Sequence, residues 1–304
     1  MYDYVNLRAT LPDSEAEQRL GRAPAFASSD GATDAKGWVR VQHRGLRIDY
    51  FPETRKVRIR GSLHTFAQGH NLGRFTAADV TKACADVAAV VDLPPESLAV
   101  VGLEAGLNIP SANSPRPFLE NLASHKGAPF AAMKPPNGAT RPLEYGAYHS
   151  DYWVKLYDKG KYSQLQGRPL PANGPPHLLR YEIVYRRIRP LLRLTGLESL
   201  TLADLPRPEV MAVVQADIST HWKLTHHRTM QNPDYTGLNF SDATLLVVAD
   251  NLAFWAAMKK SQPASTYKRH RRRAQELLAQ RAEASPYDEA LTQELARLDI
   301  APAV

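Results

Sequence analysis

Cysteine is nearly absent from this sequence: Cys84 is the single example in 304 residues. One thiol excludes an internal disulfide framework and a zinc site built from several thiolates. The sequence also contains no run of about 18 apolar residues, so we predict no membrane-spanning helix. The first residues lack the basic and apolar blocks of a signal peptide and suit the start of a strand instead. We therefore expect a soluble, cytoplasmic protein.

Basic residues are in excess, with 38 Lys and Arg against 31 Asp and Glu, and the net charge is +7. The excess is concentrated in two segments. Residues 259–273 contain seven basic residues and no acidic one, and residues 180–193 contain five arginines against one glutamate. Clustered positive charge favours a polyanionic partner, nucleic acid in particular.

Hydrophobic periodicity divides the chain into a strand-rich part and a helical part. Apolar residues at every second position predict strands, and a spacing of three or four predicts helices. Thr76 is expected to cap the first long helix. Residues 110–147 and 160–176 are rich in Gly and Pro and are predicted as loops. The predicted strands are Tyr2–Leu7, Trp38–His43, Leu46–Phe51, Val57–Leu63, Leu98–Ile109, Tyr152–Tyr157 and Leu178–Arg186; the predicted helices are Thr76–Val91, Pro208–His226, Ser241–Lys260, Thr266–Ala284 and Tyr287–Leu298.

This order of elements predicts an α/β (α+β) protein with two domains. Residues 1–197 should form a domain around a central antiparallel sheet, and residues 198–304 a basic helical domain. The first domain carries the polar residues from which catalytic chemistry can be built.

The first candidate site lies on the strand predicted over residues 152–157. Alternation places Lys155, Tyr157 and Lys159 on one face. A tyrosine with its usual pKa near 10 is a poor nucleophile at neutral pH, but neighbouring ammonium groups favour the phenolate and can neutralise a phosphate. The alternative is an ordinary strand with a packed aromatic ring and solvated lysines.

Three further segments offer metal ligands. Glu104 and Asn108 share a strand face, with Gly106 clearing space between them, and their oxygens suit a hard divalent cation. Glu182, beside Arg180, is either a metal ligand or half of a structural ion pair. His70, in a predicted turn, is either a ligand or a structural histidine. We interpret another group, His221, His226 and His227, as exposed or DNA-facing, because its spacing suits no single metal geometry.

In order along the chain, these segments resemble the replication initiation endonucleases of filamentous phages and the related plasmid initiators. The resemblance covers most of the sequence, although each motif is short. It implies a nicking domain of the HUH-endonuclease type, whose nucleophile would be Tyr157. The matching segments are Met1–Arg8, Gln68–Asn71, Leu103–Ile109, Val154–Gly160, Leu179–Ile183 and the basic run Ser265–Arg273.

The resemblance implies a metal-dependent, sequence-specific nickase and strand transferase that initiates rolling-circle replication through a 5′-phosphotyrosine intermediate. The wider superfamily usually binds its metal through two histidines separated by one residue, and this chain has no His-x-His. The metal, Mg²⁺ or Mn²⁺, would therefore be bound by some of Glu104, Asn108, Glu182 and His70. We expect one catalytic tyrosine, because Tyr162 lies five residues from Tyr157 and beyond Gly160.

The expected substrate is single-stranded or supercoiled origin DNA, and a host helicase and single-strand-binding protein are the expected partners. Tyr145, Tyr148 and Trp153 are candidates for stacking on bases. Two other functions fit parts of the sequence: a tyrosine recombinase, and a non-catalytic DNA-binding regulator derived from an initiator. The residues predicted to contact DNA phosphates are Lys268, Arg269, Arg271, Arg272 and Arg273.

Overall fold

The fold is that of a computed structural model. The structure describes residues 1–27, 32–33, 37–227, 235–249, 251–281, 285 and 287–300. Its strands are β1 (Tyr2–Thr10), β2 (Ala32–Thr33), β3 (Val39–His43), β4 (Leu46–Phe51), β5 (Lys56–Ser62), β6 (Ala99–Ser111), β7 (Leu122–His125), β8 (Ala128–Ala132), β9 (Glu144–Tyr148), β10 (Tyr152–Asp158), β11 (His177–Tyr185) and β12 (Thr225–His227).

Twelve α-helices are present among the described residues. They are α1 (Ser14–Arg22), α2 (Pro24–Ala27), α3 (Leu63–Gln68), α4 (Ala77–Val91), α5 (Arg116–Glu120), α6 (Lys159–Leu165), α7 (Arg189–Thr195), α8 (Pro208–Lys223), α9 (Phe240–Val247), α10 (Leu252–Ser261), α11 (Ala264–Arg281) and α12 (Asp288–Ala296).

The strands form one sheet in the order β12-β7-β8-β9-β10-β11-β6-β1-β5-β4-β3-β2. Neighbouring strands are antiparallel. The predicted combination of helices with an antiparallel sheet is therefore confirmed. None of the helices in the described part of the chain is long and apolar enough to cross a membrane.

The sheet has one apolar face and one polar face. Side chains alternate between the two faces along each strand, and directly paired residues of neighbouring strands point to the same face. Val5, Leu103, Ile183 and Val154 belong to the apolar face, and all four are buried in the main hydrophobic core. Side chains of α4, α8 and α12 join the same core. The helices α9, α10 and α11 contribute a second, smaller apolar cluster around Trp255.

The local predictions succeed where periodicity is strong. The strand Leu46–Phe51 is confirmed to the residue. Helix α4 starts after Thr76, whose hydroxyl accepts a hydrogen bond from the Asp79 amide while the Asp79 carboxylate accepts one from the Thr76 amide. This reciprocal capping box satisfies amides that the first turn of a helix leaves unpaired.

The prediction of a long loop over residues 110–147 is wrong. This segment contains α5 and the strands β7, β8 and β9, because short strands can include Gly, Pro and Ser when neighbouring strands pair with them. The predicted loop 160–176 likewise includes most of α6, and the predicted helix Ser241–Lys260 is described as α9 and α10. Residues 282–284, at the end of the predicted helix Thr266–Ala284, lie outside the described residues.

Candidate functional site

The polar face carries the predicted site residues on the central strands. Lys155 pairs with Glu182 across β10 and β11, and Tyr157 pairs with Arg180. Glu104, on β6, lies on the same side, because its carboxylate is 3.6 Å from the Lys155 ammonium. The expected convergence of Glu104, Tyr157 and Glu182 on one face of the sheet is therefore present.

Glu182 is the centre of this group and is buried. Its Oε1 accepts a hydrogen bond of 2.7 Å from Arg180 Nε. It also accepts one of 3.4 Å from the Tyr157 hydroxyl. Its Oε2 lies 2.5 Å from Lys155 Nζ. The Glu182 carboxylate thus contacts two cations and a phenol in a buried environment. Electrostatic interactions are stronger there than in water.

Gly106 makes this arrangement sterically feasible. It pairs with Glu182 across β6 and β11. A Cβ atom added to it would lie 2.1 Å from the Tyr181 carbonyl oxygen and 2.9 Å from Glu182 Cγ. Only glycine allows the two strands and the Glu182 side chain to approach this closely.

Two residues that the sequence analysis did not select, Asp3 and Asn71, complete the network. Arg180 Nη2 donates to Asp3 Oδ2 at 3.0 Å. Asn71 Nδ2 donates to the same oxygen at 2.9 Å. Lys159 Nζ in turn donates to Asn71 Oδ1 at 2.6 Å. The available signals were an acidic residue near the start of the predicted strand Tyr2–Leu7, and the position of Asn71 next to His70.

Lys159 reaches the site differently from the prediction. It is the first residue of α6 rather than part of β10. Its ammonium still lies 5.8 Å from the centre of the Tyr157 ring, and that of Lys155 lies 5.4 Å from it. Both predicted lysines therefore flank the predicted nucleophile. Tyr162 also contacts this ring edge-on, with the ring centres 5.8 Å apart.

The pKa of Tyr157 runs against the expectation of an activated phenol. Burial and the Glu182 carboxylate raise the Tyr157 pKa well above its usual value, although Lys155 and Arg180 oppose this. Burial opposes the charge on Lys155, but Glu182 and Glu104 outweigh it and raise the Lys155 pKa. The phenol is thus protonated in this structure, and nucleophilic attack requires transfer of its proton to a base.

Two groups at the site have pKa values close to neutrality. Burial raises the pKa of Glu104 to about 7, even though Lys155 favours its charged form. Burial, followed by repulsion from Arg180, lowers the pKa of Lys159 to about 8. Groups that titrate near the working pH are suited to proton transfer.

Two of the four predicted metal ligands are engaged in other interactions. The Asn108 Oδ1 accepts a hydrogen bond of 3.0 Å from Arg180 Nη1. His70 is exposed, and its Nδ1 accepts a hydrogen bond of 3.4 Å from the Leu72 amide.

The carboxylates of Glu104 and Glu182 both lie close to the Lys155 ammonium group. Lys155 Nζ lies between Glu182 and Glu104, at 2.5 Å and 3.6 Å. Over the described residues, no group of three or more His, Cys, Asp and Glu is placed to hold a metal ion. The predicted set of four does not fit a coordination sphere in this arrangement, so we derive no chemical step through a metal.

The predicted stacking aromatics divide between the faces of the sheet. Tyr148 and Trp153 lie on the polar face and stack on each other, with ring centres 4.9 Å apart and planes 8° apart. Tyr145 pairs with Leu156 and packs against the main core. Tyr145 therefore lies on the opposite face from Tyr157, and its stacking on DNA stays a prediction.

The predicted phosphate contacts lie on α11 but are not equivalent. Lys268, Arg269 and Arg272 are exposed. Arg273 lies 2.5 Å from the Asp242 carboxylate of α9. Arg271 donates to the Ala249 carbonyl at 2.8 Å and lies over the Trp255 ring. Arg271 and Arg273 therefore hold the helices α9, α10 and α11 together.

The histidines interpreted as surface groups are partly a buried network. His221 Nδ1 and His125 Nε2 lie 3.0 Å apart, and His125 Nδ1 and His149 Nε2 lie 2.8 Å apart. His221 and His125 are buried, so the interpretation of His221 as exposed is wrong. Burial, with smaller effects of neighbouring histidines and Lys126, lowers the pKa of His125 to about 2 and that of His221 to about 3.

Comparisons with known proteins do not identify a relative. No protein-family model matches the chain, and no curated protein matches it. The geometry of the polar sheet face is therefore the basis of the functional proposal.

Proposed function

We propose that the chain is a DNA-nicking endonuclease and strand transferase in which Tyr157 is the nucleophile. The observation that carries the proposal is the hydrogen bond of 3.4 Å from the Tyr157 hydroxyl to a buried carboxylate, Glu182. Three cations, Lys155, Lys159 and Arg180, surround this pair. This is a nucleophile with an adjacent base in a positively charged environment, the combination that attack on a phosphodiester requires.

The reaction would proceed by in-line displacement at phosphorus. The Tyr157 oxygen forms a bond to phosphorus, and the bond from phosphorus to the 3′-oxygen breaks. The tyrosine proton passes to Glu182, and the departing 3′-oxygen takes a proton from water to become the free 3′-hydroxyl. The product is a 5′-phosphotyrosine, and attack on it by a later 3′-hydroxyl rejoins the strand.

Phosphate binding would itself prepare the base. In the free protein Lys155 and Arg180 outweigh burial and lower the pKa of Glu182. A phosphate close to Lys155 would draw its ammonium away from Glu182, because the ammonium then interacts with the new anion. The Glu182 pKa would rise, and Glu182 would accept the phenolic proton more readily.

The proposal extends to the fold and the partners. The strands around Tyr157 would correspond to the antiparallel sheet of an HUH-type nicking domain spanning residues 1–197, with residues 198–304 as the basic DNA-binding part. The substrate would be origin DNA in rolling-circle replication, together with a host helicase and single-strand-binding protein. Participation of Mg²⁺ or Mn²⁺ stays a prediction.

A non-catalytic DNA-binding regulator is the second candidate function. One observation favours it: the charges around Glu182 are already paired in the free protein, as in a purely structural polar core. A tyrosine recombinase has less support, because it would need a mostly helical catalytic domain with several arginines and a histidine around the phosphate.

A nicking assay distinguishes these functions. The substrate is a supercoiled plasmid that carries the DNA adjacent to this reading frame, tested with and without EDTA. Wild type and Tyr162→Phe should nick it, and Tyr157→Phe should bind it without nicking. Tyr145→Phe is the matched control, because it removes a tyrosine hydroxyl from the opposite face of the adjacent strand.

The outcomes separate the candidates. Binding without nicking by every variant would support the regulator. Loss of nicking in EDTA would support a metal that binds in another arrangement of the site. Full activity of Tyr157→Phe would contradict the proposed nucleophile.

A further inference from the structure

A row of arginines covers the outer half of the polar sheet face, beyond the candidate site. Its members lie on four adjacent strands and share the side that carries Glu104. Arg8 of β1 pairs with Arg58 of β5, and Arg47 of β4 pairs with Arg60 of β5. The five residues, which we call the arginine surface, are Arg8, Arg40, Arg47, Arg58 and Arg60.

One buried carboxylate, Asp49, organises three of these side chains. It lies 2.7 Å from Arg40, 3.1 Å from Arg47 and 2.7 Å from Arg60. Each of these three arginine side chains is about a quarter to a third exposed, whereas the Asp49 side chain is fully buried. Asp49 therefore fixes the guanidinium groups from below, and they remain accessible to a ligand above the sheet.

The positive charge of this surface is not balanced within the network around Asp49. Three guanidinium groups contact this carboxylate, and Arg58, with Arg8 paired to it, adds two more positive charges to the surface. Burial, followed by repulsion from Arg60 and Arg8, lowers the pKa of Arg58. Its side chain donates to the neutral Asn6 amide oxygen at 3.3 Å. A cluster of this kind is stabilised by an external anion, and guanidinium groups are well matched to phosphate oxygens.

The arginine surface is continuous with the candidate site. The strand order β10-β11-β6-β1-β5 places Arg58 and Arg60 four strands from Tyr157. Perpendicular to the strands, the separation is roughly 19 Å at about 4.8 Å per strand. Along the strands, Arg60 is displaced by a further six residues, about 20 Å, because its row meets β6 at Gly102 and that of Tyr157 meets β6 at Asn108. Tyr4, on the same face of β1, interacts electrostatically with both Glu104 and Arg60, so it lies between the two regions.

We propose that the arginine surface binds the phosphates of single-stranded DNA and holds the strand across the sheet face on one side of Tyr157. The choice of single-stranded DNA as the ligand rests on the proposed nicking function. The binding chemistry is independent of cleavage: guanidinium groups at fixed spacing contact successive phosphates without reading the bases.

The test is the salt dependence of binding to a fluorescent single-stranded oligothymidylate, measured by anisotropy in EDTA. The test variant is Arg8→Gln combined with Arg58→Gln. These two residues are chosen because Arg40, Arg47 and Arg60 neutralise buried Asp49 and their loss would threaten folding. The control is Arg19→Gln combined with Arg22→Gln, which removes the same charge from α1, a helix that contributes to the apolar core.

The expected result is a change in slope confined to the test variant. Each neutralised phosphate contributes about −0.7 to the slope of log K against log salt for single strands, so removing two arginines that each bind a phosphate reduces the slope by about 1.4. An equal slope in the test and control variants would overturn the proposal. Tighter binding of oligouridylate than of oligothymidylate, with the same reduction in slope, would overturn the assignment to DNA.

Failure of this proposal is distinguishable from failure of the proposed function. A phosphotyrosine adduct in wild type, together with an unchanged salt slope in the test variant, would contradict DNA binding by the arginine surface and would still support nicking by Tyr157. A reduced salt slope without any adduct would support DNA binding by the arginine surface and would contradict nicking by Tyr157. The two results are independent because binding in EDTA does not require cleavage.

Discussion

The buried histidine network predicts that the protein loses stability in mild acid. His221 has a pKa of about 3 in the folded protein, because burial disfavours its charged form. In the unfolded chain its pKa should be near 6.5. The unfolded state therefore binds a proton between these values while the folded state does not. Stability is complete above pH 6.5 and falls as the pH decreases toward 3.

The size of this effect follows from the two pKa values. The protonated fraction of His221 in the unfolded chain, integrated over pH from 5 to 7, is about 1.4 pH units. This corresponds to a loss of about 2 kcal/mol in the free energy of unfolding at pH 5 relative to pH 7. His125 and His64 have folded pKa values of about 2 and about 3 and should each contribute a similar amount. Glu104 acts in the opposite direction, because its folded pKa of about 7 lies above the usual value.

Comparison of wild type with His221→Gln tests this histidine, because the other titratable groups are present in both proteins and burial remains the largest cause of the low His125 pKa. Urea unfolding at pH 7 and pH 5 gives the two free energies for each protein. The loss of stability in acid should be about 2 kcal/mol smaller in His221→Gln, whatever the substitution costs at pH 7. An identical pH dependence in the two proteins would refute the assignment of His221 as a buried neutral histidine.

Two further predictions concern the site and the C-terminal helix. Gly106→Ala should prevent correct packing of Glu182 and abolish nicking, because its Cβ would lie 2.1 Å from a carbonyl oxygen. The Cβ of Gly21→Ala in α1 would meet nothing within 4 Å, so this control should retain nicking and should gain rather than lose stability in urea, because alanine favours a helix over glycine. Equal behaviour of the two variants would contradict the close approach at Gly106. Neutralising the exposed residues of α11 should reduce the salt slope for duplex DNA by about 0.9 for each phosphate that the variant no longer neutralises, and an unchanged slope would show that these residues are only solvated. The residues to substitute together by Gln are Lys268, Arg269 and Arg272.

The central strands could be predicted because the residues within each strand show a clear apolar and polar alternation. Alternating apolar residues specify β1, β6, β10 and β11, and the same alternation places Glu104, Tyr157 and Glu182 on the polar side. Pairing these strands as neighbours then brings the three residues together. The local pattern was sufficient because the pairing is antiparallel and keeps paired side chains on one face.

The missed features depend on contacts between distant parts of the chain. His125 and His221 are 96 residues apart, and nothing local indicates that they share a hydrogen bond. Asp3 meets Arg180 across 177 residues. The Tyr157 pKa was expected to fall near the lysines, but its direction depends on burial, which alternation alone does not quantify.

The central claim is that Tyr157 becomes covalently joined to DNA. The direct measurement is peptide mass spectrometry of the protein after reaction with a single-stranded oligonucleotide from the candidate origin. We predict a 5′-phosphodiester on the peptide that contains Tyr157, absent in Tyr157→Phe. Since Tyr162 contacts the same ring, fragmentation must assign the modified residue. Cleavage of the oligonucleotide without any tyrosine adduct would contradict the account, because it would mean that water, rather than Tyr157, attacks the phosphate.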